Sequence, residues 1–455
     1  MATKFVNLFD INHWKLTPYQ ILVLGFAGLI LGGACLLMLP IAATDGQGLR
    51  FIDALFTATS AVCVTGLVVV DTGTYFSLFG QLVIISLIQV GGLGIMAMST
   101  LMAILIGKKI NLKQRLVMQE ALNQFTIAGV VRLTQYIIKI TLLIEAIGGT
   151  ILAIRWYQDF GLKGIYFGYW HAVSSFCNAG FDLFGSVIGK FSSATAYVDD
   201  IVVNLVITSL IILGGIGFTV IADVWTNRSF DRLSLHSKLV LITSAVLIVF
   251  GSIVILLLEY SNLETLGNLS WKGKILASYF QSVTTRTAGW NTLDLSKFTD
   301  ATLFFIVILM FVGASPTSTG GGIKTSTAGV LAAAIWALIR GRHDAEIFER
   351  RIPQTIIYKA FSVMLISAVL VIFITMMLSI TEKQPFLKLL FETTSAFGTV
   401  GLTTGITPDL TTSGKIWIIL TMFAGRVGPV TLALALALKN RKGNIQYPEG
   451  KIIIG

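Results

Sequence analysis

Four short stretches, Val64-Thr65-Gly66-Leu67, Asn178-Ala179-Gly180-Phe181, Thr287-Ala288-Gly289-Trp290 and Thr399-Val400-Gly401-Leu402, decide how this chain is organised. Their glycines lie 114, 109 and 112 residues apart, and each stretch is a half-polar interruption between long apolar runs. Ten positions before each glycine stands an aromatic residue (Phe56, Trp170, Tyr279, Phe391), and six before it a small or β-branched one (Ser60, Ser174, Val283, Ser395). A second marker follows 24 or 25 residues after three of the glycines and 34 after Gly180: Gly91-Gly92-Leu93-Gly94, Gly214-Gly215-Ile216-Gly217, Gly313-Ala314-Ser315 and Gly425-Arg426-Val427-Gly428. Two glycine markers and an aromatic in register imply four copies of one membrane unit.

Working outward, 55% of the 455 residues are hydrophobic and only 12% charged, whereas soluble domains carry about 25% charged residues. The chain is therefore expected to cross a membrane several times. The apolar run from Leu16 is long enough to span and leads into the repeat pattern, so no cleavable signal peptide is expected. Cys35, Cys63 and Cys177 form no close pair, and the four histidines are scattered, which points to neither a disulfide framework nor a metal centre.

The net charge of +10 sorts by segment. Of 33 Lys and Arg, 19 lie at the ends of the chain and in the connections after each repeat, ten in the opposite loops, and four in apolar or turn segments. The positive-inside rule then puts the termini and inter-repeat connections in the cytoplasm and the glycine turns on the outer side. Topology accounts for the basic balance, so nucleic acid is not required as a partner.

The resulting fold class is an all-α polytopic membrane protein with four helix, re-entrant pore loop, helix repeats around one pore, giving eight spanning helices. The divisions are a cytoplasmic lead (1–15), a first repeat (16–107), a linker and second repeat (108–225), a linker and third repeat (226–340), a linker and fourth repeat (341–438), and a cytoplasmic tail (439–455). The linker from Lys108 to Arg132 has the spacing of an amphipathic surface helix. In the first unit Thr74 to Gly107 reads as one long span; in the second, Lys139 and Glu145 fall inside the leading helix and are expected to pair with each other or a neighbour. The run Ala301 to Ile339 is about twice the length of one crossing at ~1.5 Å per residue. Its middle, GASPTSTGGGIKTST, cannot remain helical through a proline and three consecutive glycines. Irregular backbone at membrane depth survives only in protein or beside water, so Gly313 to Thr327 is either part of a permeation path or a structural kink. Arg426, inside the last helix, needs carbonyl or carboxylate partners, and the broken segment offers carbonyls.

A dehydrated cation needs oxygen ligands in place of water, and rings of backbone carbonyls supply them. Glycine permits the dihedrals that aim successive carbonyls inward. Short helices before each turn (52–61, 167–175, 274–284, 388–396) would direct their negative C-terminal ends at the ion. Asp71, Asp182, Asp294 and Asp409 either enrich cations at the outer mouth or are solvated loop residues. The markers at 91–94 and 214–217 read as close helix packing through small residues.

The strings TATSAVCVTGLVVVDTG, AVSSFCNAGF, FQSVTTRTAGWNTLDL and FETTSAFGTVGLT, with GGIGFTV, STGGGIKTST and GRVGPVTL, closely resemble the KtrB-type membrane subunits of the Trk, Ktr and plant HKT superfamily of potassium transporters. The resemblance runs from about Pro18 to the YPEG tail. It implies potassium translocation in the bacterial cell membrane, with sodium as an activator. It implies that Val64, Thr65, Gly66, Asn178, Ala179, Gly180, Thr287, Ala288, Gly289, Thr399, Val400 and Gly401 form the filter. It also implies that Gly313, Ser315, Thr317, Ser318, Thr319, Gly320, Gly321, Gly322 and Lys324 belong to an intramembrane gating loop that Arg426 helps hold shut. A homodimer on a cytosolic KtrA-like ring that binds ATP or ADP is implied as well, and no covalent cofactor. One glycine per strand, with non-identical neighbours, should hold fewer strong ion sites than a uniform TVGYG ring.

Two other classes are weighed beside this one. A secondary carrier with alternating access usually shows a twofold repeat with two interrupted helices. An intramembrane enzyme would need a convergent His, Cys, Asp or Glu set, which no span contains.

Overall fold

The computed structural model describes residues 17–94, 130–342 and 344–436, together with residues 116 and 119. The lead 1–15, the tail 439–455 and most of the linker expected to form a surface helix lie outside the described residues. Each unit has a long leading helix, a short helix, the glycine turn and a trailing helix. The leading helices, Pro18–Leu37, Val130–Phe160, Leu235–Glu259 and Gln354–Thr381, are unbroken. Among the described residues these four are long and apolar enough to cross a membrane, and a fifth span arises if Ile201–Gly215 and Phe218–Asn227, bent by 96°, are taken as one. Leucines and isoleucines such as Leu257, Leu365 and Ile380 cover their outward faces.

Inside that shell stand the short helices, Phe51–Val62, Leu162–Phe176, Trp271–Thr284 and Phe386–Gly398. The second begins earlier than its expected 167–175 because Gly161, at φ 60°, turns the chain directly out of the preceding helix. Phe56, Trp170 and Phe391 are buried as the register predicts; Tyr279 is only partly so, and its neighbour Phe280 fills the core instead.

The trailing helices are where the expected elements change. Leu78–Leu93 stops at Gly94 (φ 87°), Ile201–Gly215 bends at Gly217 (φ 95°), and Thr412–Val427 gives way to Pro429–Leu436 at Gly428 (φ 92°). The third, Asp300–Phe311, resumes only at Thr325–Ile339. The single uninterrupted spans expected from Thr74, Ile201 and Ile416 are thus replaced by helices that each end at a left-handed glycine, because a glycine with positive φ terminates the hydrogen-bond ladder at little steric cost. Each trailing helix starts on a side-chain cap, from Ser77, Asp200, Thr299 and Thr411. In units three and four the leading helix ends in a glutamate that binds this cap: Glu259 accepts from Thr299 N and Oγ1 (3.0 and 2.9 Å), and Glu382 from Thr411 N and Oγ1 (3.1 and 2.5 Å).

Units four and one are joined by a buried ion pair, Lys415 Nζ to Asp53 Oδ1 at 2.7 Å, with both side chains 8% exposed. Asp53 also accepts from the exposed Arg50. Truncating one partner of a buried pair strands the other charge, at a cost of about 3–5 kcal/mol. Lys415→Met is expected to sit at the lower end of that range, since Arg50 remains, and Asp53→Asn added to it should recover part of the loss. Thermal unfolding of detergent-purified protein measures this; a melting temperature unmoved by Lys415→Met would refute the closure.

Candidate functional site

The four glycine turns meet. A methyl group built on Gly66 would lie 2.5 Å from the Ala179 carbonyl oxygen, one on Gly180 2.7 Å from that of Ala288, and one on Gly289 2.6 Å from that of Val400. A methyl on Gly401 would strike the Thr65 carbonyl. Each strand thus abuts the next, and the fourth returns to the first.

The dihedrals repeat as well. Val64, Asn178, Thr287 and Thr399, each two positions before its glycine, have φ of 51, 58, 66 and 49°, and Gly66, Gly180, Gly289 and Gly401 have φ of 94, 67, 76 and 91°. The residue between them keeps a negative φ. Alternating hands turns successive carbonyls toward the same side, where an extended strand would alternate them. A non-glycine residue in this region costs of order 1–3 kcal/mol, so the surroundings must hold it. They do so through the amides: Thr65, Ala179 and Val400 N donate to Ser60, Ser174 and Ser395 O at 2.8 Å, and Ala288 N to Thr284 O at 3.0 Å. The amides are thus tied to the short helices, while the carbonyls of residues 64–66, 178–180, 287–289 and 399–401 accept no backbone N–H among the described residues.

The four strands are not identical. Gly66 and Gly401 N donate to Ser60 and Ser395 Oγ, both at 3.1 Å. Ser174 Oγ instead donates to Phe181 O at 2.7 Å, and Val283 has no hydroxyl to offer. The Asn178 side-chain amide lies 3.3 Å from Thr287 Oγ1, linking strands two and three on the inner side.

Trailing helices approach the strands through glycine. A side chain on Gly91, Gly214 or Gly425 would collide with the carbonyl of Val62, Phe176 or Phe397, each four residues before its unit's turn glycine. The expectation of close packing at 91–94 and 214–217 thus holds for the first glycine of each marker, while the last one breaks the helix.

Beneath the ring lies the segment between Phe311 and Thr325. Ser315 N donates to Gly215 O (2.9 Å), Thr319 N and Oγ1 to Gly214 O (both 3.2 Å), and Thr317 Oγ1 meets Thr219 Oγ1 at 2.9 Å. Ser318 Oγ donates within the loop to Ser315 O. Gly320 packs on Thr287, and Gly321 N donates to Thr399 Oγ1 at 2.9 Å. Gly322 lies against both Gly313 and Gly398. Arg426 donates to Thr319 O of the loop and to Gly91 and Gly92 O of unit one. The loop therefore touches units two, three and four directly and unit one through Arg426, which places it across one face of the ring. Its carbonyls are the partners anticipated for Arg426; the glycine carbonyls of unit one were not.

Several expected roles shift. Asp71 accepts from Thr74 N and Oγ1 and from Phe191 N (2.9, 2.8 and 2.8 Å) and is buried, so it organises loops rather than charging a mouth. Asp182 and Asp294 accept from nearby amides, and Asp409 is exposed. Glu145 does not pair with Lys139, which is exposed. It takes a hydrogen bond from Gln89 Nε2 at 3.2 Å and faces Cys177 Sγ at 3.9 Å, so a carboxyl group sits behind the second strand.

A model of the TrkH cation transport protein family matches residues 11–446. The Ktr system potassium uptake protein B of Bacillus subtilis is 48% identical over 97% of both chains. The potassium/sodium uptake protein NtpJ of Enterococcus hirae is 41% identical over 97% of this chain and 98% of its own. The solved structure of the potassium transporter TrkH from Vibrio parahaemolyticus superposes with a TM-score of 0.74 at 18% identity, covering 93% of this chain and 86% of that one. The chain belongs to the TrkH cation transport family. These relatives are transport proteins, not enzymes.

The glycine contacts have a direct consequence. Gly214→Ala drives a methyl into the Phe176 carbonyl, and overpacking of this kind costs about 1–3 kcal/mol. A lowered melting temperature and reduced yield of folded protein are expected, against no change for Gly32→Ala, whose side is open. Equal stability of the two variants would contradict the packing described.

Proposed function

We propose that the chain takes up potassium through the ring formed by Val64 to Gly66, Asn178 to Gly180, Thr287 to Gly289 and Thr399 to Gly401, with the carbonyls of these residues replacing the ion's water. The single observation that carries this reading is the closed cycle of four strands sharing one pattern of positive φ. The four short helices end at the ring and add the negative ends of their dipoles. The segment from Gly313 to Lys324, with Arg426, acts as the gate, because it lies across the ring's inner side and is held there by hydrogen bonds that can be exchanged for water.

The remaining parts of the reading extend it. Eight crossings follow if each broken trailing helix completes one span, with repeats divided near 107, 225 and 340 and both termini in the cytoplasm of a bacterial cell. Sodium as an activator is supported by the naming of the Enterococcus hirae relative as a potassium/sodium uptake protein. The naming of the Bacillus subtilis relative as part of a Ktr system supports a partner component, which this reading takes to be a cytosolic ring that binds ATP or ADP beneath a homodimer of this chain. No covalent cofactor is required. The fourfold ring favours this pathway over an alternating-access carrier, for which two interrupted helices would suffice.

Uptake of rubidium or potassium by a strain lacking its own potassium systems, with and without sodium and the cytosolic partner, tests the function; no uptake under any of these conditions would reject it. Gly66→Ser or Gly401→Ser should relax discrimination between potassium and sodium, since both positions need positive φ and touch a neighbouring carbonyl. An unaltered ion preference in the same cells would count against the ring as filter. Deleting Gly320 to Gly322 should raise the rate of uptake, and a folded variant with the parent's rate would reject the loop as gate.

A further inference from the structure

Lys324 is the last residue before the lower half of the third trailing helix, and its side chain turns back onto the loop it has just left. Nζ donates to Gly320 O at 2.8 Å and reaches Gly321 O at 3.4 Å. These glycines are the two that lie against Thr287 and Thr399, directly under strands three and four of the ring. Gly320 O accepts no backbone N–H among the described residues, and Gly321 O accepts only a long one from Ala314, at 3.3 Å. Glycines 320 and 321 are buried. Together with Thr319 O, which Arg426 holds, three successive carbonyls just inside the ring are satisfied by cationic side chains.

The two cations differ in what they bind. Arg426 spans two units, from Thr319 O to Gly91 and Gly92 O, so releasing it separates the loop from unit one. Lys324 binds only its own loop, through a compact ammonium on a flexible stem, and can swing away without breaking any contact between units. A primary ammonium and a potassium ion carry the same charge, are similar in size, and are both satisfied by carbonyl oxygens.

We propose that the carbonyls of Gly320 and Gly321 are an inner cation site of the pathway, and that the Lys324 ammonium fills it in the closed state as a tethered substitute for the transported ion. This rests on the reading of the loop as the gate of a potassium pathway. The ammonium closes the path in two ways: it satisfies carbonyls that would otherwise attract the next ion, and its charge repels an ion seated in the ring above. An ion arriving from the ring competes with it directly, so opening becomes more frequent as the ring fills. Conduction through successive sites requires each to bind, but not to hold, and an internal competitor supplies that weakness.

The test uses the full chain in two measurements. In cells lacking their own potassium uptake, Lys324→Met should lower the rubidium concentration for half-maximal uptake by threefold or more and raise uptake at low rubidium. Lys324→Arg, which keeps the charge on a bulkier head, should give a smaller change in both. With purified protein, melting temperatures in potassium chloride and in choline chloride are compared. Lys324→Met should gain more from potassium than the parent does, because the vacated carbonyls take up an ion, and this comparison stands even if the variant is less stable in choline. A half-saturating concentration and a potassium-dependent melting shift both equal to the parent's would overturn the proposal. If the parent itself takes up no rubidium, the potassium pathway fails, while an enlarged potassium response of Lys324→Met would still establish the site.

Discussion

Carbonyl oxygens left without N–H partners at membrane depth are the constraint on which this structure depends. In hydrocarbon each such group costs several kcal/mol unless something else satisfies it. The chain exposes them four times over, in strands whose non-glycine members are themselves held in a left-handed conformation. Nothing in one unit alone compensates for that expense. The compensation comes from convergence: the short helices take the amides, the glycines let the strands touch, and the carbonyls of all four strands are brought together in one ring.

The same logic explains the broken segment of the third unit. All four trailing helices break, at Gly94, Gly217, Gly428 and the segment after Phe311. In three units one left-handed glycine makes the break. In the third the break has grown into a loop long enough to reach the other units, and its backbone carries the problem the strands carry, carbonyls without amides. Here cationic side chains satisfy them, Arg426 at Thr319 O and Lys324 at Gly320 O. The loop is thus an enlarged form of a break present in every repeat.

Much of this was legible in the residues, for identifiable reasons. Positive φ leaves a mark because glycine alone meets it cheaply, so the register of Gly66, Gly180, Gly289 and Gly401 could be read directly. The break after Phe311 was legible because proline and Gly320 to Gly322 cannot sustain a helix. The breaks at Gly94, Gly217 and Gly428 were not, because each stands three residues after a glycine that does serve packing, and one composition encoded two roles. Partners across long separations were also hidden. Lys415 near the fourth turn gave no sign of Asp53 some 360 positions away, and nothing about Thr399 announced that its hydroxyl would receive the amide of Gly321. Asp71 was misread because an acid after a glycine turn looks the same whether it faces water or caps a buried loop.

The departures from fourfold symmetry carry their own meaning. Serine hydroxyls fix the glycine amides in strands one and four, while strand two turns its serine to Phe181 O and strand three has Val283. The glycine amides of strands one and four therefore have a side-chain acceptor from the serine six residues earlier, which strands two and three do not take up.

Anomalous diffraction from crystals grown in rubidium chloride tests the central claim most directly. The account predicts a peak on the axis of the ring, within liganding distance of carbonyls from all four strands. Rubidium bound elsewhere, with the carbonyls of residues 64–66, 178–180, 287–289 and 399–401 turned away from a common centre, would contradict it.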